Sequence, residues 1–184
     1  MNRWAAILPA GGSATRLGGI DKVALEVGGQ SLLSRAVNAC VGAEPIVVVG
    51  PRRPVPSPVV WTVEAVPGSG PVAAIAAGLS LVDAGVDCPV VLLAADMPRV
   101  TPHTIARLLT SVGETGAILV DHDGRDQWLA GVWRLGVLRA AVPSRPEGLS
   151  LRRVLGGLAP TRVRAVADEV SDVDTPDDLS RVTG

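Results

Sequence analysis

The chain contains no tyrosine and no phenylalanine, and four tryptophans supply all of its aromatic side chains. Modules that bind single-stranded nucleic acid stack bases on aromatic rings, so this poverty argues against such a role. It also obliges the core to be built from Val, Leu, Ile and Ala. Lysine is scarcer still: Lys22 is the only one, and the other 16 cations are arginine. The two cysteines, Cys40 and Cys88, form no CxxC pair and no metal-ligand spacing. Both are expected to be small buried hydrophobes, not partners in a disulfide. No apolar run approaches the length of a membrane span. The stretch over 4–8 is too short for a secretory signal and lacks its small-residue cleavage pattern, so the cytoplasm is the expected compartment. A formal net charge of -1 offers no basic field to DNA or RNA.

The 184 residues are 47% hydrophobic and 19% charged, which excludes a disordered chain and predicts one domain over 1–184. Short apolar runs alternate with stretches of helical periodicity. Strands are predicted over 4–8, 45–50, 59–63, 89–95, 117–120, 128–133 and 161–166, with a short extended piece over 23–27. Helices are predicted over 31–40, 72–82, 101–107, 135–142, 149–155 and 176–182. Thr101-Pro102 and Gly70-Pro71 are helix starts, because proline suits the first helical position, where no N–H is needed. The alternation predicts an α/β fold with a mostly parallel sheet. Ligands of such sheets lie beyond the carboxyl ends of the strands. The segments that follow strands directly are the glycine-rich loop after residue 8, Gly50-Pro51-Arg52, Glu64 and Asp96. They are expected to gather at one edge.

The loop reads Pro9-Ala10-Gly11-Gly12-Ser13-Ala14-Thr15-Arg16-Leu17-Gly18-Gly19-Ile20-Asp21-Lys22. It matches neither the Walker A pattern nor GxGxxG. Its glycines let backbone N–H groups turn inward to cradle an anion. Arg16 and Lys22 would add charge around a triphosphate. A compact lysine charge on a flexible stem suits a moving phosphoryl group better than a planar guanidinium. A glycine-rich turn carrying two solvated cations is the alternative.

Asp96 ends the apolar run Val90-Val-Leu-Leu-Ala-Ala95. A carboxylate there needs a partner. A hard oxygen at a strand end suits magnesium, with phosphate oxygens and water completing the octahedron; an Asx turn before Met97-Pro98 is the competing role. In Asp172-Val-Asp174-Thr-Pro-Asp177-Asp178 the last two acids suit a helix start capped by Thr175. Asp172 and Asp174 precede the cap, so one of them could face the metal, and Asp174 is the second metal candidate. Gly68-Ser-Gly70-Pro-Val-Ala73 imitates a dinucleotide fingerprint, but Pro71 removes an N–H that would face pyrophosphate. His103, early in a helix, and His122, in a turn between two aspartates, are given no catalytic role. Arg125, Arg152 and Arg153 are candidates to hold an anionic acceptor, although nothing in their spacing brings them together.

Taken together, these motifs resemble the MobA family, the molybdenum cofactor guanylyltransferases and the wider MobA-like nucleotidyltransferases. The family's opening loop, ending in Gly-Gly-x-Asp-Lys, is similar to Pro9–Gly12 through Gly18-Gly19-Ile20-Asp21-Lys22. Its Gly-Pro-Leu-Ala-Gly helix start looks like Gly70-Pro71-Val72-Ala73-Ala74. Its Cys-Asp-x-Pro metal motif looks like Ala95-Asp96-Met97-Pro98, and its closing Asn-x-Asn-Thr-Pro-Glu like Asp172–Asp177. The resemblance implies a three-layer Rossmann-like nucleotidyltransferase fold. It implies a nucleotide site at Pro9, Ala10, Gly11, Gly12, Gly70 and Pro71, with Arg16, Lys22 and Asp96 as the catalytic groups and magnesium on Asp96. The implied substrates are GTP and molybdopterin cofactor, and the implied partners are a molybdoenzyme or an insertion factor. The chain departs from the family at Pro9, where Leu is usual. It departs again at Gly50, where a nucleotide-contacting Asn is expected, and at Ala65, where an Asp is expected. The Asp-x-Asp-Thr-Pro ending looks more like the CTP-using cousins, while Ala-Gly-Gly in the first loop does not. A CTP-dependent transferase and a non-catalytic nucleotide-binding module therefore stand as alternatives.

Overall fold

The computed structural model describes residues 3–11 and 21–171. Within them the order is β1 (Ala5–Pro9), a 3-10 turn (Lys22–Ala24), β2 (Glu26–Val27), β3 (Gln30–Ser31), α1 (Leu32–Ala39), β4 (Ile46–Val49) and β5 (Val60–Thr62). There follow α2 (Pro71–Leu79), β6 (Pro89–Leu93), α3 (Pro102–Thr110), β7 (Gly116–Val120), β8 (Asp126–Arg134), α4 (Leu135–Ala141), α5 (Leu151–Leu155) and β9 (Thr161–Arg164). Seven strands form one sheet in the order β5-β4-β1-β6-β8-β7-β9. Strand β8 is antiparallel to both its neighbours and the remaining pairs are parallel.

The centre of the sheet is buried on both faces, which is why β1, β4 and β6 read as unbroken apolar runs, while the edge strands β5 and β9 are only partly buried. Alternate side chains face opposite layers. Ala6, Leu8, Val48, Val91 and Leu93 pack with Leu33, Ala36 and Val37 of α1 and Ile105 and Leu108 of α3. Ala5, Ile7, Val47, Val90 and Leu92 pack with Ala74 and Ile75 of α2, Leu135 and Leu138 of α4 and Leu155 of α5. Three layers result, as expected. Trp133 is fully buried in the second layer and stacks on Trp128 at 6.3 Å.

Local chemistry sets the helix starts. The Ser31 hydroxyl accepts from the Ser34 N–H at 3.1 Å, and Thr101 and Thr104 form a reciprocal capping box with Pro102 at the first helical position. Ser150 caps α5, so that helix begins at Leu151 and not at residue 149.

Three expectations need correction. The segment over 23–27 is not simply extended: Ala24 N–H bonds to Asp21 C=O at 3.0 Å, which closes a 3-10 turn before β2 pairs with β3. Strand β9 ends at Arg164, two residues short of the predicted end, because Ala165 gives its N–H to Val120 C=O and the chain then turns. Cys40 is buried but Cys88 is partly exposed, its thiol lying against Arg3 C=O at 3.6 Å. The predicted closing helix and its cap Thr175, together with Gly12, Arg16 and Asp174, lie outside the described residues.

Candidate active site

Because β8 alone is reversed, the carboxyl ends of β1, β4, β5, β6, β7 and β9 share one edge of the sheet. The glycine-rich loop leaves that edge from β1. Ala10 N–H bonds to Val49 C=O at 2.8 Å, and Gly50 N–H to Thr62 C=O at 2.8 Å, so three strand ends are laced together. After β6, Ala95 N–H still reaches Pro9 C=O at 3.4 Å. Asp96 is thereby carried to the foot of the loop.

Lys22, at the loop's far end, meets it there. The Lys22 Nζ donates to Asp96 Oδ2 at 2.7 Å, across a separation of 74 residues. Both side chains are mostly shielded, at 20% and 26% exposure. Two of the three groups expected to carry the chemistry, Lys22 and Asp96, are thus in direct contact.

Gly50 has a backbone φ of +152°, and a Cβ placed on it would lie 2.8 Å from Ala10 C and 2.9 Å from Gly11 N. The position where the family resemblance places an Asn is therefore filled by the loop's own backbone. Ala65 is exposed, whereas Glu64 beside it is half-buried, with Oε2 accepting from Gly68 N–H at 3.2 Å. That same oxygen is 3.9 Å from where a Cβ on Gly11 would stand. The acidic group at this end of β5 thus comes from Glu64, one residue before the expected place. Gly70, at φ +95°, leads into α2 with Pro71 at its first turn and no side-chain cap.

Arg53 escaped the sequence analysis. Its Nε and Nη2 donate to the two Asp21 carboxylate oxygens at 2.6 and 3.0 Å, and its Nη1 to Ala10 C=O at 3.3 Å and Pro51 C=O at 2.9 Å. The available signal was a cation in the proline-rich segment directly after a strand.

The three acceptor candidates do not converge. Arg125 is exposed in the β7–β8 turn and pairs with Asp123 at 3.4 Å. Arg152 and Arg153 are exposed on α5, and no hydrogen bond or ion pair among the described residues joins them to Arg125. The turn itself is stiff: Asp121 Oδ1 accepts from the N–H groups of Asp123 and Arg125 at 2.9 and 2.8 Å. The Arg125 N–H is the main reason that the Asp121 carboxyl lies below its usual range. Beside it a shallow cleft of about 250 Å³ is lined by Val120, Asp121, Gly124, Arg162 and Arg164. Gly148 N–H bonds to Ser69 C=O at 2.8 Å, which ties the segment before α5 to the segment before α2. His103 and His122 are both exposed.

Magnesium can be tested against the donor set. No cluster of three His, Cys, Asp or Glu side chains occurs among the described residues. Magnesium is commonly held by one or two carboxylates plus substrate phosphates, so the strand-end Asp96 at the foot of the glycine-rich loop fits that mode.

A family model, the MobA-like NTP transferase domain, matches residues 6–164. A probable molybdenum cofactor guanylyltransferase of Natronomonas pharaonis is 26% identical over 98% of this chain and 97% of its own length. One so described from Mycobacterium tuberculosis is 34% identical over 71% of this chain and 67% of its own length. The crystal structure of molybdopterin-guanine dinucleotide biosynthesis protein A from Archaeoglobus fulgidus shares the fold, with a TM-score of 0.67 at 17% identity, covering 97% of this chain and 96% of the other. With a matched model that spans the laced strand ends and the Lys22–Asp96 pair alike, the chain belongs to the MobA-like NTP transferase family and is a nucleotidyltransferase.

Proposed function

We propose that this single-domain protein transfers GMP from GTP to molybdopterin cofactor, forming the guanine dinucleotide and releasing pyrophosphate. The Lys22–Asp96 contact at the carboxyl edge of the sheet carries the reading, because it brings a compact ammonium and a hard carboxylate to one point beside a glycine-rich loop. The backbone from Pro9 to Gly12 would hold the nucleotide, with the start of α2 at Gly70 and Pro71 beside it. A terminal phosphate oxygen of the acceptor attacks the α-phosphorus in line. A new P–O bond forms there as the bond to the β-phosphate bridging oxygen breaks, and the electron pair leaves on pyrophosphate.

Little covalent work falls to the protein in such a displacement; positioning and charge neutralisation are the task. Lys22 follows the charge that builds on the leaving phosphates, and Arg16 adds a second cation. Asp96, with Asp174, would hold magnesium, which supplies charge neutralisation at the phosphate oxygens when bound. Arg125, Arg152 and Arg153 would meet the anionic acceptor. The product would pass to a molybdoenzyme or an insertion factor in the cytoplasm. Among the described residues no helix is long and apolar enough to cross a membrane.

The test is thermal stabilisation by GTP, CTP, ATP and UTP, with and without magnesium, followed by pyrophosphate release in the presence of molybdopterin. A ligand that binds only the native state must raise the melting temperature. A GTP-selective shift lost in Lys22→Ala, together with pyrophosphate release, supports the reading. A CTP-selective shift moves the assignment to the cytidylyl cousins, and binding without turnover makes the protein a nucleotide-binding module.

A further inference from the structure

We propose that Arg53 is a positioning residue which clasps the two ends of the glycine-rich loop and so holds Lys22 at Asp96. The inference rests on the proposed nucleotide site and extends it to a residue that no motif singles out.

One planar guanidinium makes four hydrogen bonds. Two go to the Asp21 carboxylate in a fork-to-fork pair, at 2.6 and 3.0 Å, and one to Ala10 C=O at 3.3 Å. The fourth, to Pro51 C=O at 2.9 Å, orients the guanidinium on its own segment. Ala10 is the last residue held to β4 as the loop begins, and Asp21 immediately precedes Lys22. Arg53 therefore spans the loop's mouth, joining positions that are 11 residues apart in sequence.

The anchor is rigid. Arg53 sits between Pro51 and Pro54, with Pro56 and Pro58 following, and proline fixes φ at each. The Arg53 side chain is only 16% exposed, whereas its partner Asp21 is 46% exposed, so the clasp is anchored on the arginine side and open to water on the aspartate side. At the other end, Asp21 C=O accepts from Ala24 N–H at 3.0 Å, and Lys22 C=O from Leu25 N–H at 3.2 Å. Asp21 and Lys22 are thus parts of one tight turn, and moving the first moves the second. Closing a loop costs chain entropy, and a loop whose ends are already pinned has met that cost before ligand arrives. Lysine at position 53 would keep the charge but lacks the fork that grips two oxygens and a carbonyl together.

The experiment compares wild type with Arg53→Ala, Arg53→Lys and Lys22→Ala, and with the double variant Arg53→Ala/Lys22→Ala. One readout is tryptic cleavage after Arg16, followed by mass spectrometry without nucleotide. The other is GTP affinity with magnesium. Loss of charge-assisted hydrogen bonds should raise cleavage after Arg16 by about tenfold in both Arg53 variants and weaken GTP by about tenfold. In the double variant the Arg53 change should cost almost nothing beyond Lys22→Ala, because Arg53 acts through Lys22. Unchanged cleavage in Arg53→Ala, wild-type behaviour of Arg53→Lys, or additive losses in the double variant would each overturn the proposal. Should Arg53→Ala fail to fold, Asp21→Asn weakens the same clasp from the other side and is read identically. If wild type shows no GTP response while cleavage still rises, the nucleotide reading falls and the clasp stands.

Discussion

Restoring to position 50 the asparagine that the family resemblance places there should damage this protein. Gly50 has φ +152°, in a region that essentially only glycine occupies, and a side chain held there costs about 1–3 kcal/mol. Its Cβ would stand 2.8 Å from Ala10 C, 2.9 Å from Ala10 O and 2.9 Å from Gly11 N, all backbone atoms that cannot rotate aside. Those atoms are held in turn, since Ala10 N–H is bonded to Val49 C=O and Gly50 N–H to Thr62 C=O. Overpacking of this kind adds about 1–3 kcal/mol. The sum, about 2–6 kcal/mol, is a large share of the about 5–15 kcal/mol that holds a typical domain together. For a chain of this size it should lower the melting temperature by about 4–24 °C. The assay is thermal and urea unfolding of Gly50→Ala and Gly50→Asn. Gly29→Ala serves as the control, since Gly29 also has a positive φ, +76°, but nothing within 4 Å of its Cβ. The loop's start is what the new side chain pushes, so GTP stabilisation should weaken in Gly50→Asn, not strengthen. A Gly50→Ala protein no less stable than Gly29→Ala, or a Gly50→Asn protein that binds GTP more tightly, would refute the reasoning.

Lys22→Arg keeps the charge but should lose at least about tenfold in turnover, because a planar guanidinium cannot reproduce a compact ammonium on Asp96; pyrophosphate release measures it. Glu169 receives the Thr104 hydroxyl at 2.6 Å, both contacts of Arg107 Nη1 at 2.8 and 2.9 Å, and Val166 N–H at 2.8 Å. Burial works to raise its pKa, but these bonds outweigh burial and hold the carboxyl below the usual range. The stability it contributes is therefore present above the carboxylate's unfolded pKa and disappears as pH falls through the lower folded value. Glu169→Gln should cost about 1–3 kcal/mol at pH 7 and converge with wild type in acid, as urea unfolding at several pH values would reveal. Burial pushes the Cys40 thiol up to about 12, so a thiol reagent at pH 8 should modify Cys88 first and reach Cys40 only on unfolding; equal rates at the two sites would contradict the packing.

Much of this molecule is written in runs of a few residues. Unbroken apolar stretches announced β1, β4 and β6, Thr101-Pro102 and Gly70-Pro71 marked two helix starts, and a Gly-rich segment ending in the only lysine located the loop. Each of these signals is a local matter of periodicity, dihedral freedom or capping, which neighbouring residues settle among themselves. The partnerships were not legible in that way. Lys22 reaches Asp96 over 74 residues, and Arg53 reaches Asp21 over 32, only because β1, β4 and β6 lie side by side with their ends at one edge. The reversal of β8, the filled space at Gly50 and the separation of Arg125 from Arg152 and Arg153 likewise depend on which strands become neighbours. The sequence by itself determined most of the elements of the main sheet and its helices, the loop and the identity of its charged groups. The tertiary structure decided which of those groups meet, because contacts between distant segments follow from the order and direction of strands in the sheet, and no local pattern encodes that order.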